Sequence, residues 1–417
     1  MRLIHFSDLH LGIDNYGLTD PETGLSTRVL DFLRVFDVIV DRAISERVDA
    51  VLFTGDAFKN RDPSPTLRRA VARRILRLAQ AEIPIVLLVG NHDLPNVFTR
   101  ATPVEIYQVL QIQGVYVCRD IEALTIETRS GPLQIVALPW IPRTTLLAAQ
   151  EIRELPDQEI DREIQRAISG MMAQQRRDLD PARPAVLMAH VSLQGASLGY
   201  EQSIMLGKDI TVGRDDLHAR EFDYVALGHI HKHPVVGSRP PVVYAGSPER
   251  IDFGEEREPK GYVVVEIADG PPPREPRFEF VELSARRFET LRIKAPGDAP
   301  DERVMREVER AADAIRGAIV RCFVEGDPGR ERGVAASDVR KALVAAGAAY
   351  VAYVIVESET TARARVAVSD EVARDASQML ERWVEQKQYD ARLKERVLAR
   401  GREMIARRRH DETGREV

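Results

Sequence analysis

Five apolar runs of strand length in this chain each break off into residues of types able to ligate metals. Val86–Val89 leads into Gly90-Asn91-His92-Asp93, Leu3–Phe6 into Ser7-Asp8-Leu9-His10, and Val51–Phe53 into Thr54-Gly55-Asp56. Ala185–Ala189 leads into His190, and Val225–Leu227 into Gly228-His229-Ile230-His231. Uninterrupted apolar runs of this length mark strands covered on both faces, as in layered α/β folds. In open sheets the carboxyl ends of such strands are where sites assemble. The pattern therefore predicts an α/β fold with one site built from five strand ends.

The donors define the chemistry. Asp8-x-His10 and His229-x-His231 would each turn two ligands to one side if the strand end stays extended, because alternate residues share a face. Asp56 and Asn91 follow glycines, which permit a sharp turn. With His190, seven candidate ligands result: Asp8, His10, Asp56, Asn91, His190, His229 and His231. Carboxylate, amide oxygen and imidazole without thiolate suit Mn²⁺ or Fe²⁺ better than Zn²⁺. Seven donors are too many for one ion. Two ions about 3.5–4 Å apart that share a carboxylate would use them all. Singly, Asn91 and Asp93 read as turn formers and His190 as a core histidine. Five strand ends with the same property make the joint reading a metal centre. His5 and His218 read as structural and His233 as exposed.

At 417 residues the chain has room for two or three domains, and eight of its nine histidines precede residue 234. The chemistry belongs to the first two-thirds. A net charge of −6 excludes a global polycation, so nucleic-acid contacts would be local patches. Cys118 and Cys322 lie outside every motif and read as reduced, packed thiols. Met1 leads straight into a strand without a basic-then-apolar leader. No apolar run approaches the ~20 residues of a membrane span. A soluble cytoplasmic protein is expected. The segments alternate strand and helix up to about residue 284, with hairpins at 124–138 and 262–283. A small α+β unit follows at 285–360, then amphipathic helices at 361–417. The stretch 387–409 carries nine Lys/Arg against three Asp/Glu. Helices without a core of their own want a partner.

Asp8-x-His10, Gly55-Asp56, Gly90-Asn91-His92-Asp93, His190 and Gly228-His229-x-His231 resemble, in order, the five motifs of calcineurin-like metallophosphoesterases. The resemblance implies a four-layer β-sandwich flanked by helices, with a dinuclear centre. It places one ion on Asp8, His10, Asp56 and His231, and the other on Asp56, Asn91, His190 and His229, with Asp56 bridging. His92 is then the catalytic group that serves the leaving oxygen or stabilises the transition state. Asp93 is expected either to hold His92 from behind or to form the turn.

Within that superfamily, Phe6–Gly12, Gly55-Asp56-Ala57-Phe58 and Tyr244–Arg250 running on to Phe253-Gly254-Glu255 resemble the SbcD-type nuclease subunits of double-strand-break repair complexes. That resemblance implies a nuclease domain at 1–284, a capping domain at 285–360 and partner-binding helices at 361–417. It implies hydrolysis of phosphodiester bonds at DNA duplex ends or in single strands, with two divalent ions, manganese first among them. It further implies a homodimer formed through Leu67–Ala81 and Thr102–Gln111, and an SMC-like coiled-coil ATPase docked on the C-terminal helices. The chain has no G-x-x-x-x-G-K-[ST] loop, so any ATP hydrolysis falls to the partner. Lys59 stands where archaeal and eukaryotic members usually carry a histidine. A lysine can contact phosphate as a point charge but cannot accept a hydrogen bond. Arg28, Lys59 and Arg61, with Arg68-Arg69 and Arg73-Arg74, are candidate phosphate contacts. Two rival readings are a phosphatase for small or protein phosphate esters, and a DNA-end-tethering scaffold without nuclease activity.

Overall fold

The structure, a computed structural model, describes residues 1–95, 100–143, 157–193, 211–297, 299–326, 334–357, 380, 381, 384 and 393–401. The first strands are β1 (Arg2–Phe6), β2 (Ala50–Phe53), β3 (Ile85–Leu88), β4 (Val115–Cys118), β5 (Glu122–Thr128) and β6 (Gly131–Leu138). After them come β7 (Ala185–His190), β8 (Ser192–Leu193), β9 (Thr211–Val212), β10 (Tyr224–Gly228), β11 (Val235–Ser238) and β12 (Pro241–Tyr244). The last are β13 (Gly261–Glu266), β14 (Arg277–Glu282), β15 (Phe288–Ala295), β16 (Ile319–Gly326) and β17 (Tyr350–Glu357).

Two six-stranded sheets form the frame, in the orders β14-β13-β1-β2-β3-β4 and β11-β12-β10-β7-β6-β5. In the first, β1 to β4 run parallel, while β13 and β14 pair antiparallel at one edge. In the second, β12, β10, β7 and β6 run parallel between antiparallel edges. Both expected hairpins, β5–β6 and β13–β14, are present.

Alternation along each strand divides its side chains between two cores. Leu3, Leu52, Val86 and Leu88 face Ile135, Val186, Met188 and Ala226 in the layer between the sheets. On the outer face of the first sheet, Ile4, Phe6, Val51 and Phe53 pack with Phe32, Phe36, Ile39, Val71 and Ile75 from α1 (Thr27–Glu46) and α2 (Pro65–Gln80). On the outer face of the second, Leu187, Val225 and Leu227 meet Ile160, Ile164, Ile168 and Met172. These come from a helix at Asp157–Arg177. Helix, sheet, sheet, helix is the expected four-layer order. Burying one such side chain is worth about 1.5–3 kcal/mol.

Local signals set the helix ends. Ser26 caps α1 by accepting the Arg28 N–H at 3.2 Å, and Arg47 ends it in the left-handed region. Ser64 caps α2, with Pro65 in its first turn. The helix expected from Thr102 is shorter than its pattern suggests: only α3 (Ile106–Val109) is helical. Glu105 spends its carboxylate on the Thr102 N–H and on Arg119, and Gln111 at φ 49° closes the segment.

The chain divides into two compact units. One comprises Met1–Glu289, Arg316–Val320 and Ala348–Ala352; the other comprises Thr290–Ile315, Arg321–Gly347 and Tyr353–Val417. Strands β15, β16 and β17 form a three-stranded sheet in that order. The second unit contains helices at Pro300–Arg310 and Ala336–Ala345. Residues 393–401 are helical, and most of the expected C-terminal helices lie outside the described residues. Among the described residues, no helix is long and apolar enough to cross a membrane.

Candidate metal centre

Because β1, β2 and β3 are adjacent and parallel, their carboxyl ends bring Asp8 and His10, then Asp56, then Asn91 to Asp93 side by side. In the second sheet β7 and β10 are likewise neighbours, delivering His190, then His229 and His231. All seven candidate ligands and His92 therefore come from one end of the sandwich.

The Asp8-x-His10 and His229-x-His231 pairs do not work by the extended alternation that the sequence suggested. Asp8 (φ 53°), His10 (φ 43°), Asp56 (φ 59°) and His229 (φ 94°) all occupy left-handed conformations just past their strands. Side chains with a Cβ avoid that region at about 1–2 kcal/mol each. The turns persist because they bond to one another. The Asp8 N–H donates to Gly55 O and the His10 N–H to Asp56 O, both at 3.0 Å. The His92 N–H donates to Asp56 Oδ1 at 2.8 Å, and the His229 N–H to the Asp8 carboxylate at 3.0 and 3.1 Å. Gly90 is needed for close approach, because a Cβ there would sit 2.1 Å from Asp56 Oδ1.

The side chains converge. One ligand atom each from Asp8, His10 and His231 lies within 4.8 Å of the others, as do atoms of Asp8, Asp56 and His190, and of His10, Asp56 and His92. Asp56 Oδ2 is central, 3.6 Å from His10 Nε2 and 3.4 Å from His190 Nε2. Asn91 Oδ1 lies 2.9 Å from His190 Nε2 and 3.2 Å from His229 Nδ1. His10 Nε2 and His231 Nε2 face each other at 2.9 Å.

The rear nitrogens are spoken for. His190 Nδ1–H donates to Thr54 O at 2.7 Å and His92 Nδ1–H to Lys59 O at 2.9 Å. His231 Nδ1–H donates to the Glu255 carboxylate at 2.7 Å. Each bond turns the corresponding Nε2 toward the cluster. Burial holds His10 well below the usual histidine range. Burial alone would raise Asp56, yet His190 and the other imidazoles hold it well below the carboxylate range. Burial alone would lower His190, but the Asp56 charge outweighs it and takes the group up to about 9. Buried carboxylates ringed by inward-aimed imidazole nitrogens fit divalent cations, and the donor set lacks thiolate.

Asp93 does not touch the His92 ring in the way a positioning carboxylate would. Its oxygens accept the N–H groups of Asp56 (2.9 Å), Ala57 (3.0 Å), Gly90 (3.1 Å) and Phe58 (3.3 Å), which makes it the anchor of the Asp56 turn. Burial and the Asp56 charge push it up to about 7, with the Gly90 and Ala57 N–H groups pulling the other way.

The expected phosphate contacts divide. Arg28 is 1% exposed and serves the core. It pairs with Asp31 at 2.8 Å, donates to Arg250 O and lies 5.2 Å from the Phe32 ring centroid, so it cannot reach a phosphate. Arg74 is likewise held by Asp37. Arg61 is exposed and Lys59 partly so, its Nζ 3.9 Å from Asp14. Through its carbonyl, Lys59 orients His92 whatever its side chain does. His233 is half-buried, stacked on Phe280 at 4.3 Å and bonded to Tyr244 O. His5 is structural as expected, bonded to Tyr224 at 3.0 Å.

Three contributors escaped sequence reasoning. Trp140 lies against the His229 ring at 5.0 Å, and its backbone N–H donates to Val89 O, joining the ends of β6 and β3. Glu255 backs His231, and Lys260 backs Glu255 at 2.9 Å. Glu255 stands within the Phe253-Gly254-Glu255 motif, but nothing local marks its target.

A sequence model of the family described as Calcineurin-like phosphoesterase matches residues 1–233. The DNA double-strand break repair protein Mre11 of Sulfurisphaera tokodaii is 27% identical over 275 residues, covering 64% of this chain and 60% of that protein. The SbcD component of the nuclease SbcCD from Escherichia coli is 26% identical over 281 residues, covering 65% of this chain and 66% of that protein. The matches thus span just under two-thirds of these relatives' lengths. Among solved structures, a dimetal phosphatase from Danio rerio is similar with a TM-score of 0.37 and 11% identity, over 67% of this chain and 98% of that one.

Proposed function

The chain belongs to the calcineurin-like phosphoesterase family, and on that premise we propose that it is a metal-dependent DNA nuclease of the SbcD type. The observation that carries the reading is the convergence of seven ligand-type side chains and His92 at one end of the sandwich. The names of the two curated relatives support the substrate.

In this reading Asp8, His10, Asp56 and His231 hold one ion, and Asp56, Asn91, His190 and His229 hold the second. Manganese is the favoured metal on donor chemistry. When bound, two such ions supply Lewis-acid charge for a phosphodiester and for the attacking water. His92 does the proton work. With Nδ1–H committed to Lys59 O, the doubly protonated ring carries its second proton on Nε2, and that proton passes to the departing oxygen and leaves a neutral imidazole. Lys59 and Arg61, beside the His92 loop, contact phosphates.

The proposal keeps the division into a nuclease domain at 1–284, a capping domain at 285–360 and helices at 361–417 that bind a coiled-coil ATPase. It includes a cytoplasmic location and a homodimer. The dimer is supported by α3 and the residue that follows it, where Ile106, Val109 and Leu110 are 49%, 76% and 61% exposed.

The test is cleavage of end-labelled linear duplex DNA with Mn²⁺ beside a His92→Ala variant, with closed circular duplex and an aryl phosphate in parallel. Wild-type degradation of linear DNA that falls at least about 10²-fold in the variant is expected. Turnover of the aryl phosphate with intact DNA would assign the centre to a phosphatase. Metal and DNA binding without cleavage, even with the ATPase added, would leave the scaffold reading.

A further inference from the structure

Lys260 is a lysine at 1% exposure, and its ammonium sits among four oxygens. Nζ lies 2.9 Å from Glu255 Oε2, 2.9 Å from Ser247 Oγ, 3.1 Å from His231 O and 3.2 Å from Glu258 Oε2. Glu255 divides its carboxylate: Oε2 takes Lys260 and the Ile251 N–H, while Oε1 takes His231 Nδ1–H at 2.7 Å. The far nitrogen of that imidazole, Nε2, meets His10 Nε2. A continuous line thus runs from a buried ammonium through a buried carboxylate to the inward lone pair of His231.

We propose that Glu255 and Lys260 are positioning residues for His231, and that the pair sets the affinity of the ion that His231 and His10 hold. The inference rests on the dinuclear reading of the centre. Two features favour it over a purely structural ion pair. Desolvating a carboxylate and an ammonium together stabilises a fold no better than an apolar pair of similar volume, so the charges need another use. The arrangement is also one-sided. His190 and His92 have neutral carbonyls, Thr54 O and Lys59 O, behind their Nδ1 atoms, whereas His231 has a full carboxylate. A carboxylate fixes the tautomer more firmly and makes the far nitrogen a stronger donor. Lys260 in turn holds that carboxylate, and its bond to His231 O ties the ligand's own backbone to the same point.

The experiment is a Mn²⁺ titration of the full chain by calorimetry, with the Mn²⁺ paramagnetic resonance spectrum followed in parallel. The proteins are wild type, Glu255→Gln, and the double variant Glu255→Gln/Lys260→Met, which leaves no single buried charge. The wild type is expected to bind two ions and show the spectrum of a coupled pair. Each variant should bind one ion with wild-type affinity and the other about 10–100-fold more weakly, giving a mononuclear spectrum at limiting metal. Two unchanged affinities would overturn the inference. So would equal weakening of both ions together with a lowered Tm in the absence of metal, or failure of both variants to fold, because the pair would then serve the fold. A wild type that binds fewer than two ions would overturn the dinuclear reading itself, a failure visible without either variant.

Discussion

Replacing Gly90 by alanine tests the geometry of the centre through one methyl group. The new Cβ would lie 2.1 Å from Asp56 Oδ1 and 2.5 Å from Asp56 N, where ordinary contact begins at 3.4 Å, a shortfall of about 1.3 Å. Gly90 does not have a positive φ, so alanine brings a clash there without backbone strain. Asp56 cannot simply step aside, because its N–H is held by Asp93 at 2.9 Å and its Oδ1 takes the His92 N–H. Either the end of β3 or the Asp56 turn must move by about the shortfall. Overpacking of this kind costs about 1–3 kcal/mol. Misplacing a reacting group by about 1 Å costs about 10²-fold in rate. The assay is urea denaturation together with Mn²⁺ titration and DNA cleavage. Gly170→Ala serves as the control, because Gly170 lies on the Asp157–Arg177 helix with nothing within 4 Å of an added Cβ. That control should gain about 0.4–1 kcal/mol and leave Mn²⁺ affinity unchanged. If Gly90→Ala keeps wild-type stability and Mn²⁺ affinity, the close packing of Gly90 on Asp56 is refuted, and with it the central place of Asp56.

Burial lowers His5 to about 3. As pH falls below about 6.5 the unfolded chain takes up a proton that the fold refuses, so this group's share of stability declines down to about pH 3. Denaturation at pH 6 and pH 5 should show wild type losing about 1 kcal/mol more than His5→Gln. Arg28→Ala should cost about 1.5–3 kcal/mol by removing one buried charged partner of Asp31, which keeps Arg286, and of Glu249, which keeps the Arg250 and Arg286 N–H groups, with DNA affinity unchanged. Lys59→Ala should do the reverse, reducing the salt slope of DNA binding by about 1. Val109→Arg should turn a dimer into a monomer by light scattering, with folding stability within about 0.5 kcal/mol of wild type.

Strand ends were legible in the sequence because burial on both faces forces an apolar run, and a site at its end forces an abrupt change. That signal is local, and the strands and the clustering of their terminal side chains follow it closely. What the sequence hid is set by partners far along the chain. Arg28 reads as a surface cation until Glu249 and Arg250, more than two hundred residues away, surround it. His233 reads as exposed until β14 places Phe280 on its ring. Asp93 offered two targets, His92 next to it and the Asp56 turn, and only the packing of β2 beside β3 selects the second. The left-handed turns were hidden for another reason. Asp8, His10 and His229 lack the glycine that usually marks such a φ.

Those turns say how the centre is held. Among the described residues, eight non-glycine positions have a positive φ, and four of them are candidate ligands: Asp8, His10, Asp56 and His229. Strain concentrated in this way lasts only where neighbours over-determine the backbone. Here the neighbours are the other turns that carry candidate ligands. Asp8 and His10 donate to the Gly55 and Asp56 carbonyls, His229 donates to the Asp8 carboxylate, and Asp56 donates to Asp93. Each turn is thus fixed by the next, across both sheets, and the geometry of the candidate ligands comes from hydrogen bonds within the protein. A perturbation of one turn should therefore spread to its neighbours. Substitutions at Gly90, Asp93 and Asp8 should be strongly non-additive in stability, whereas each should add simply to Gly170→Ala on its distant helix.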